Sequence, residues 1–300
     1  MKRVLVIHYS QTGQLTRVLD SISAPLLDQG IAVDHLRIEP AVAFDFPWSR
    51  MRFFGVFPES VNGDPVELKP FNVPQHDYDL VILGYTIWYL NPSIPVNSFL
   101  KHPAAAAVFA NKPVLTVIGA RNMWVHAQEK VRAMVGGLGG RVVGNILAED
   151  RSPNVVSLVT IIRWMFYGRK DPFLVFPAAG IREQDIAGMS RFGPIIARHL
   201  NAGTVAELNA DLLAAGSSRI KPSLLVLEKR ALKLFAKYRA FIMAGARKGQ
   251  RSRERRVSTF SIFLPVAAFL LSPLMALSTA LMTAVHGGAL RKEIEERLRY

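Results

Sequence analysis

A short apolar run, a polar loop and an amphipathic helix follow one another at the start of this chain. Val4–Ile7 is a continuous apolar run rich in β-branched residues, as expected of a central parallel strand buried on both faces. Apolar side chains then recur at helical spacing from Leu15 to Leu26, and Gly30 ends the helix. Ile31–Ile38 is predicted to form a second strand. This order predicts a βαβ unit with a right-handed crossover.

Three further apolar runs repeat the pattern. The predicted strands are Asp79–Gly84, Pro113–Gly119 and Arg141–Leu147, the predicted helices between them are Pro95–Leu100 and Glu129–Val135, and Asp185–Leu200 is the predicted closing helix. Strands that alternate with helices at this spacing predict an α/β fold with a doubly wound, five-stranded parallel sheet.

The chain divides into two predicted regions. Residues 1–215 form the α/β domain, with insertions at about 40–75 and 152–177, the first irregular and the second apolar and aromatic. Residues 216–300 form a C-terminal helical, hydrophobic extension that begins with a basic helix over Leu224–Met243. The absence of cysteine excludes disulfides and thiolate chemistry. The histidines and carboxylates show no metal-ligand spacing, so no metal site is expected.

The loop after the first strand is the first candidate site. Ligands of open α/β sheets bind beyond the carboxyl ends of the strands, where the strand order reverses. The loop offers the hydroxyls of Ser10 and Thr12, the small Gly13, and a helix N-terminus whose N–H groups favour a phosphate. It has neither the three glycines of a dinucleotide turn nor the lysine of a P-loop. One terminal monophosphate is therefore the best match, and a capped helix after a strand is the alternative.

This opening segment, Val4–Gln14, resembles the flavodoxin signature, in which an apolar strand precedes (S/T)-x-T-G-x-(T/S). The resemblance implies the strand order 2-1-3-4-5 and FMN as cofactor. It assigns the phosphate to Ser10, Gln11, Thr12, Gly13, Gln14 and Leu15. Leu15 occupies the final hydroxyl position of the signature, although Thr16 follows, so one phosphate hydrogen bond is expected to be missing or replaced.

Two later loops match the same interpretation. The segment Tyr85–Pro95 resembles the flavin-ring loop of quinone-reductase-like flavodoxin relatives. There, amides near Thr86 and Ile87 are expected at the polar edge of the ring, and Trp88 and Tyr89 on its faces. The third loop runs from Gly119 to Trp124, with Arg121 and Asn122 as donors and Trp124 as a second stacking face. An aromatic core is the alternative.

The whole chain resembles the dialkylresorcinol condensing enzymes, which share the loop Tyr9-Ser-Gln-Thr-Gly-Gln-Leu15. That resemblance implies a flavin-dependent oxidation of a lipophilic cyclic dione to an aromatic ring, with ketosynthase and acyl-carrier partners. Condensation itself is disfavoured because the chain has no cysteine nucleophile. His126 and the Tyr89 phenol are the candidate bases, and an ordinary surface histidine is an equal interpretation of His126.

Two other functions stay open at this point. An NAD(P)H-quinone reductase would use the same cofactor and loops. A non-enzymatic flavin electron carrier docked at a membrane would need only the cofactor.

The extension carries most of the positive charge. Residues 201–300 hold 17 Lys and Arg against 7 Asp and Glu, out of a net charge of +14 for the chain. Phe260–Val285 follows, 26 residues without a charge, which is enough for the roughly 30 Å of a bilayer core. Pro265 and Pro273 favour a kinked or re-entrant hairpin.

Basic residues beside an apolar segment indicate an anionic membrane surface, and no nucleic-acid module is recognisable. The N-terminal apolar run is too short for a signal peptide. We therefore expect the protein at the cytoplasmic face of the inner membrane, and otherwise in the cytoplasm. A buried helical pair that caps the site or forms a homodimer is the alternative for the tail.

Overall fold

Five parallel strands form the centre of the fold. The structure is a computed structural model that describes residues 1–73, 76–245 and 248–300, apart from the side chains of 268–277, 280–281 and 283–284. The strands, with a short sixth, are Arg3–His8 (β1), Ala32–Arg37 (β2), Leu80–Trp88 (β3), Asn91–Pro92 (β4), Pro113–Ala120 (β5) and Arg141–Glu149 (β6). The order is β2-β1-β3-β5-β6, with β4 paired to β3 alone. The predicted doubly wound sheet and the 2-1-3-4-5 order of its five main strands are confirmed.

The count of five strands is corrected to six by a hairpin at the end of β3. Tyr89 and Leu90 have φ angles of 48° and 64°, so two consecutive residues are left-handed. A turn of this kind reverses the chain within two residues. Asn91 then pairs antiparallel with Trp88. Such turns favour Asn and Gly, and the sequence has neither at the turn, so it did not indicate the hairpin.

Helices cover both faces of the sheet. The helices on one face are Gln14–Asp28 (α1), Glu183–Ala187 (α8), Phe192–Ala202 (α9) and Leu208–Ala214 (α10). The same face carries 3₁₀ turns at Gly188–Arg191 and Val205–Glu207. The helices on the other face are Ile94–Leu100 (α4), Pro103–Phe109 (α5) and Val125–Gly137 (α6). Side chains alternate along β1. Val4 and Val6 therefore pack in the core under α1 and α9, and Leu5 and Ile7 pack in the core under α4, α5 and α6. This explains why the strand is apolar without interruption.

The predicted closing helix, Asp185–Leu200, is divided into α8, a 3₁₀ turn and α9. At the break, Ser190 Oγ and Arg191 Nη1 donate hydrogen bonds to the carbonyls of Ala187 and Gly188. Gly193 then permits close packing of α9 on α1, because a Cβ there would lie 2.8 Å from the carbonyl oxygen of Ile22.

The two insertions meet above the carboxyl edge of the sheet. The first forms the short helices Arg50–Gly55 (α2) and Phe57–Asn62 (α3), and the second forms Asn154–Tyr167 (α7). The main-chain N–H of Trp48 donates to the carbonyl of Met165 in α7 across 2.7 Å. The insertions therefore support each other at this edge.

The extension forms the helices Pro222–Met243 (α11) and Arg251–Arg297 (α12), the second of which departs from helical backbone angles at His286. Near the start of α12, Phe260 packs in a third apolar cluster with Phe57 of α3 and Ile242 of α11. Near its end, Asn209 Nδ2 donates to the carbonyl of Leu298 across 2.8 Å. Both ends of α12 therefore contact the α/β domain.

Within the described part of the chain, no helix combines the length and the apolar character that crossing a membrane requires. The predicted membrane segment 260–285 belongs to α12, and within it the side chains of 268–277, 280–281 and 283–284 lie outside the described part of the structure.

Candidate functional site

The three predicted loops lie at one edge of the sheet. Strands β1, β3 and β5 are parallel neighbours. They end at His8, Trp88 and Ala120, so their loops leave the sheet on the same side. The chain crosses from β1 to β2 in one direction and returns from β2 to β3 past β1, which makes the β1–β3 edge the point where strand order reverses.

The first loop presents unused donors. Gly13 is left-handed, with φ of 79°, and no side chain caps the start of α1. Among the described residues, the hydroxyls of Ser10 and Thr12 have no hydrogen-bond partner, and no atom beyond the two chain neighbours of Gly13 lies within 4 Å of where a Gly13 Cβ would be. The first N–H groups of a helix also lack intrahelical partners. The loop is therefore an open cradle of donors at a helix N-terminus, and the alternative of a side-chain-capped helix is not observed.

Other members of the predicted phosphate set support the loop from below. Gln14 forms a pair of hydrogen bonds with Ile181: its Nε2 donates to the carbonyl at 2.9 Å, and its Oε1 accepts from the N–H at 3.3 Å. Leu15 is buried in the core. Thr16 Oγ1 lies 3.0 Å from Nε2 of His8, so this hydroxyl does not replace the one missing at Leu15.

Gln11 also belongs to the predicted set, and it joins the loop to the first insertion. Its Nε2 donates to the carbonyl of Phe44 at 2.9 Å, and its Oε1 accepts from Nε1 of Trp48 at 3.2 Å. Sequence reasoning missed Phe44 and Trp48. Their only signal was the abundance of Phe, Pro and Trp in a stretch without predicted elements.

The predicted ring loop begins later than expected, because β3 continues through Tyr85 to Trp88. Trp88, the last residue of β3, is half-buried among aromatic side chains. Its ring meets those of Tyr9, Phe44 and Trp48 edge to face, with centroids 6.1, 5.0 and 5.5 Å away. The neighbouring Thr86 and Ile87 are half-buried as well. The structure therefore places a wall of aromatic rings beside the first loop.

Tyr89 lies apart from this wall. Its hydroxyl donates to the carbonyl of Phe53 at 2.8 Å, and its ring lies edge to face with Phe57 at 5.0 Å. Burial raises the pKa of the Tyr89 phenol well above its usual range. The side chain is committed to the apolar cluster between α3 and α11.

The third loop is fixed to the start of α7. Arg121 Nη1 donates to the carbonyl and to Oδ1 of Asn154 at 3.1 and 3.0 Å, and Asn122 Nδ2 donates to the same Oδ1 at 2.6 Å. Burial lowers the pKa of Arg121, opposed by the charge of Asp150. Trp124 is 3% exposed and packs in the core, so it offers no free face in this conformation. At Gly119, an added Cβ would lie 3.4 Å from Thr86 Cγ2.

His126 lies in the first turn of α6, half-buried, two residues after Trp124. Burial and the nearby Lys130 lower its pKa, so the imidazole is neutral at pH 7 and able to accept a proton. Its main-chain N–H donates to Oε1 of Glu228 at 3.0 Å, and that of Val125 donates to Oε2 at 3.3 Å.

Glu228, from α11, thus caps α6. It is buried, and burial raises the pKa of its carboxyl to about 7, against the lowering effect of the two main-chain hydrogen bonds. Sequence reasoning missed this residue. Its signal was that it is a lone carboxylate, which follows the apolar stretch 224–227 and precedes the basic pair Lys229-Arg230.

His8 ends β1 beneath the cradle. It is 2% exposed, and its Nδ1 has no hydrogen-bond partner among the described residues. Burial, with smaller contributions from Arg37 and His35, lowers its pKa to about 4. The neutral ring is therefore part of the packing under the loop.

No family model and no curated protein matches the chain. Among solved structures, it is similar to a flavoprotein in complex with FMN from Lactobacillus acidophilus NCFM, with 16% identity, a TM-score of 0.41, and coverage of 49% of this chain and 93% of that one. It is also similar to a putative flavoprotein from Bacteroides uniformis ATCC 8492, with 18% identity, a TM-score of 0.40, and coverage of 50% of this chain and 92% of that one. A third similar structure is a flavodoxin from the domain Archaea, with 12% identity, a TM-score of 0.35, and coverage of 66% of this chain and 99% of that one. The strand order β2-β1-β3-β5-β6 of this chain defines its fold.

Proposed function

We propose that this chain is an FMN-dependent oxidoreductase, and the open cradle at Ser10–Gly13 is the observation that carries the proposal. The Ser10 and Thr12 hydroxyls and the first N–H groups of α1 would hold the phosphate. They fit a monophosphate because the donors are unused, the space beside Gly13 is clear and the helix N-terminus favours an anion.

The aromatic wall would enclose the flavin ring. Trp88, Phe44 and Trp48 supply apolar surface, and main-chain amides near Thr86 and Ile87 would face the polar edge of the ring. When bound, FMN supplies the ability to accept a hydride. The chain itself positions the substrate and keeps water away from the reacting atoms.

For the substrate we propose a lipophilic cyclic dione that is oxidised to an aromatic ring, as in dialkylresorcinol biosynthesis. Such a reaction removes one hydride and one proton from the ring, so the protein must provide a proton acceptor. The neutral imidazole of His126 fits that role better than the Tyr89 phenol, which already donates to Phe53 and has a raised pKa. The resemblance of the whole chain to the dialkylresorcinol condensing enzymes supports this substrate class.

The first experiment is to purify the full chain in mild detergent and to record its visible spectrum. Flavin that co-purifies, or FMN that binds at micromolar concentration, supports the proposal. If no flavin is retained and FMN binds only at millimolar concentration, the proposal is wrong.

Turnover then separates the candidate functions. Formation of an aromatic product from a dialkyl-cyclohexanedione in air supports the aromatase. Rapid bleaching of the flavin by NAD(P)H with a quinone as acceptor, and no dione turnover, indicates a quinone reductase. A bound flavin that is active in neither assay indicates an electron carrier.

A further inference from the structure

The outer side of α11 and α12 exposes apolar and aromatic side chains. Phe241 in α11 is 47% exposed, and Ile262, Phe263 and Val266 in α12 are 56%, 52% and 49% exposed. Between the two helices lies an open groove of about 420 Å³, lined by Leu234, Lys237, Tyr238, Phe241, Phe260 and Phe263 among others. We call these residues, with Ile262 and Val266, the α11–α12 surface. A contiguous exposed patch of this kind marks an interaction site.

Positive charges without acidic partners border this surface. Lys233 and Lys237 are one helical turn apart and are exposed, and Lys237 lines the groove. Arg255 is exposed one turn before Thr259, which also lines the groove. In the described part of the chain, none of these three cations forms a salt bridge.

The acidic groups of the region are few. Between residues 229 and 267 the sequence has one acidic residue, Glu254. Glu59 of α3 faces this region too, but it is bound to Arg253, which is 6% exposed. The surface therefore combines apolar side chains with unpaired positive charge.

We propose that the α11–α12 surface docks the protein on an anionic lipid bilayer, with Ile262, Phe263 and Phe241 in the interface and Lys233, Lys237 and Arg255 at the headgroups. A bilayer fits because it offers hydrocarbon and negative charge side by side, in the arrangement that the surface presents. The sequence also stays uncharged beyond Val266, to Val285. Docking on a bilayer in this way requires no bound flavin.

Vesicle co-sedimentation of the full chain tests the proposal. We expect binding to vesicles of equal parts phosphatidylcholine and phosphatidylglycerol, weaker binding to phosphatidylcholine alone, and release as salt is raised, because screening weakens the attraction to headgroups. Equal binding to both kinds of vesicle, or to neither, would overturn it.

Two double variants separate the contributions. Lys233→Glu with Lys237→Glu should weaken binding to the anionic vesicles by about tenfold or more, given the usual contribution of each basic residue near such a surface. Ile262→Ser with Phe263→Ser should also weaken binding to the anionic vesicles, even at low salt, because it removes two apolar side chains from the interface. These side chains are exposed, so far-UV circular dichroism should be unchanged.

Matched controls use sites away from the surface. Arg141→Glu with Arg169→Glu makes the same change in net charge, and Leu174→Ser with Val175→Ser removes two side chains that are 93% and 90% exposed. Both controls should bind like the wild type. If the surface variants also bind vesicles like the wild type, the proposal fails. It fails too if Phe263→Ser dissociates a dimer without changing vesicle binding, and that result would make the surface an interface between copies of the chain.

Discussion

The indole Nε1 of Trp48 donates a hydrogen bond to Oε1 of Gln11 across 3.2 Å, and this contact ties the first insertion to the proposed phosphate loop. The same Gln11 side chain donates to the carbonyl of Phe44 at 2.9 Å. One amide therefore holds both aromatic residues that stand beside Trp88.

Replacing Gln11 with leucine should loosen the aromatic wall. The hydrogen bonds to Phe44 and Trp48 are lost, at about 1 kcal/mol each, so we expect FMN to bind roughly tenfold more weakly. Fluorescence titration with FMN measures the affinity, and near-UV circular dichroism of the apoprotein reports the tryptophan environment. An unchanged affinity together with an unchanged near-UV spectrum would show that Gln11 does not organise the wall.

The hydroxyl of Thr12 should matter for FMN, whereas that of Thr16 should not. Thr12→Val removes one proposed donor to a phosphate, a kind of bond worth about 1.5–3 kcal/mol, and should weaken FMN binding by roughly ten- to a hundredfold. Thr16→Val is the matched control, since its hydroxyl contacts His8. It should lower stability and leave FMN affinity unchanged. Riboflavin, which lacks the phosphate, should bind the wild type and Thr12→Val alike.

Two buried groups should give opposite pH dependences of stability. For His8 the pKa falls from 6.5 to about 4, so its contribution is present above pH 6.5 and is lost as the pH falls towards 4. For Glu228 the pKa rises from 4.5 to about 7, so its contribution is present below pH 4.5 and is lost as the pH rises towards 7. Each effect is on the order of 3 kcal/mol at most.

In the wild type these two slopes offset each other over most of that range. Glu228→Gln should leave a stability that rises with pH, and His8→Gln one that falls. Urea denaturation at several pH values from 4 to 7 measures both, each against the wild type. If the two variants give parallel profiles, the assignment of these shifts is wrong.

Gly193 should not tolerate a methyl group. A Cβ there would lie 2.8 Å from the Ile22 carbonyl oxygen and 2.8 Å from Pro25 Cβ, so Gly193→Ala should push α9 from α1 and cost about 1–3 kcal/mol. Gly136→Ala in α6 is the control. Its added methyl meets nothing within 4 Å and should stabilise the helix by up to about 1 kcal/mol. Thermal unfolding of both variants should show changes of opposite sign.

Turnover distinguishes the two candidate bases. If His126 accepts the proton, His126→Gln should lower kcat for dione oxidation by about 10²- to 10⁴-fold, with FMN affinity retained. Tyr89→Phe should keep kcat within a few fold and lose about 1 kcal/mol of stability through the bond to Phe53. A large loss of kcat in Tyr89→Phe alone would reverse the assignment.

The inner strands of the sheet were predictable because they are buried on both faces. Segments such as Val4–Ile7, which is apolar throughout, and Pro113–Gly119, which is apolar except for Thr116, have no solvent side, so their sequence pattern is unambiguous. The Tyr89–Leu90 hairpin was not predictable, because left-handed angles at two non-glycine residues are imposed by the surrounding packing.

The site was predictable only in part, for a related reason. The hydroxyls at Ser10 and Thr12 follow a strand directly, so local sequence indicates where they lie. Trp48 and Glu228 reach the site through tertiary contacts across 37 and 103 residues of sequence separation, and no local pattern encodes such contacts. Trp124 was expected to offer a stacking face, but its ring is buried in the core, and the sequence does not show how deeply a side chain is buried.

The aromatic wall also gives the protein an optical probe of its own. Of its four tryptophans, Trp48 and Trp88 lie with ring centroids 5.5 Å apart, close enough for their electronic transitions to couple. Trp164 lies against Gly180 near the side chain of Gln14, and Trp124 starts the helix after the third loop. The intrinsic emission of the folded chain therefore arises from the edge of the sheet where a ligand would bind, and it reports occupancy of that edge without any added label.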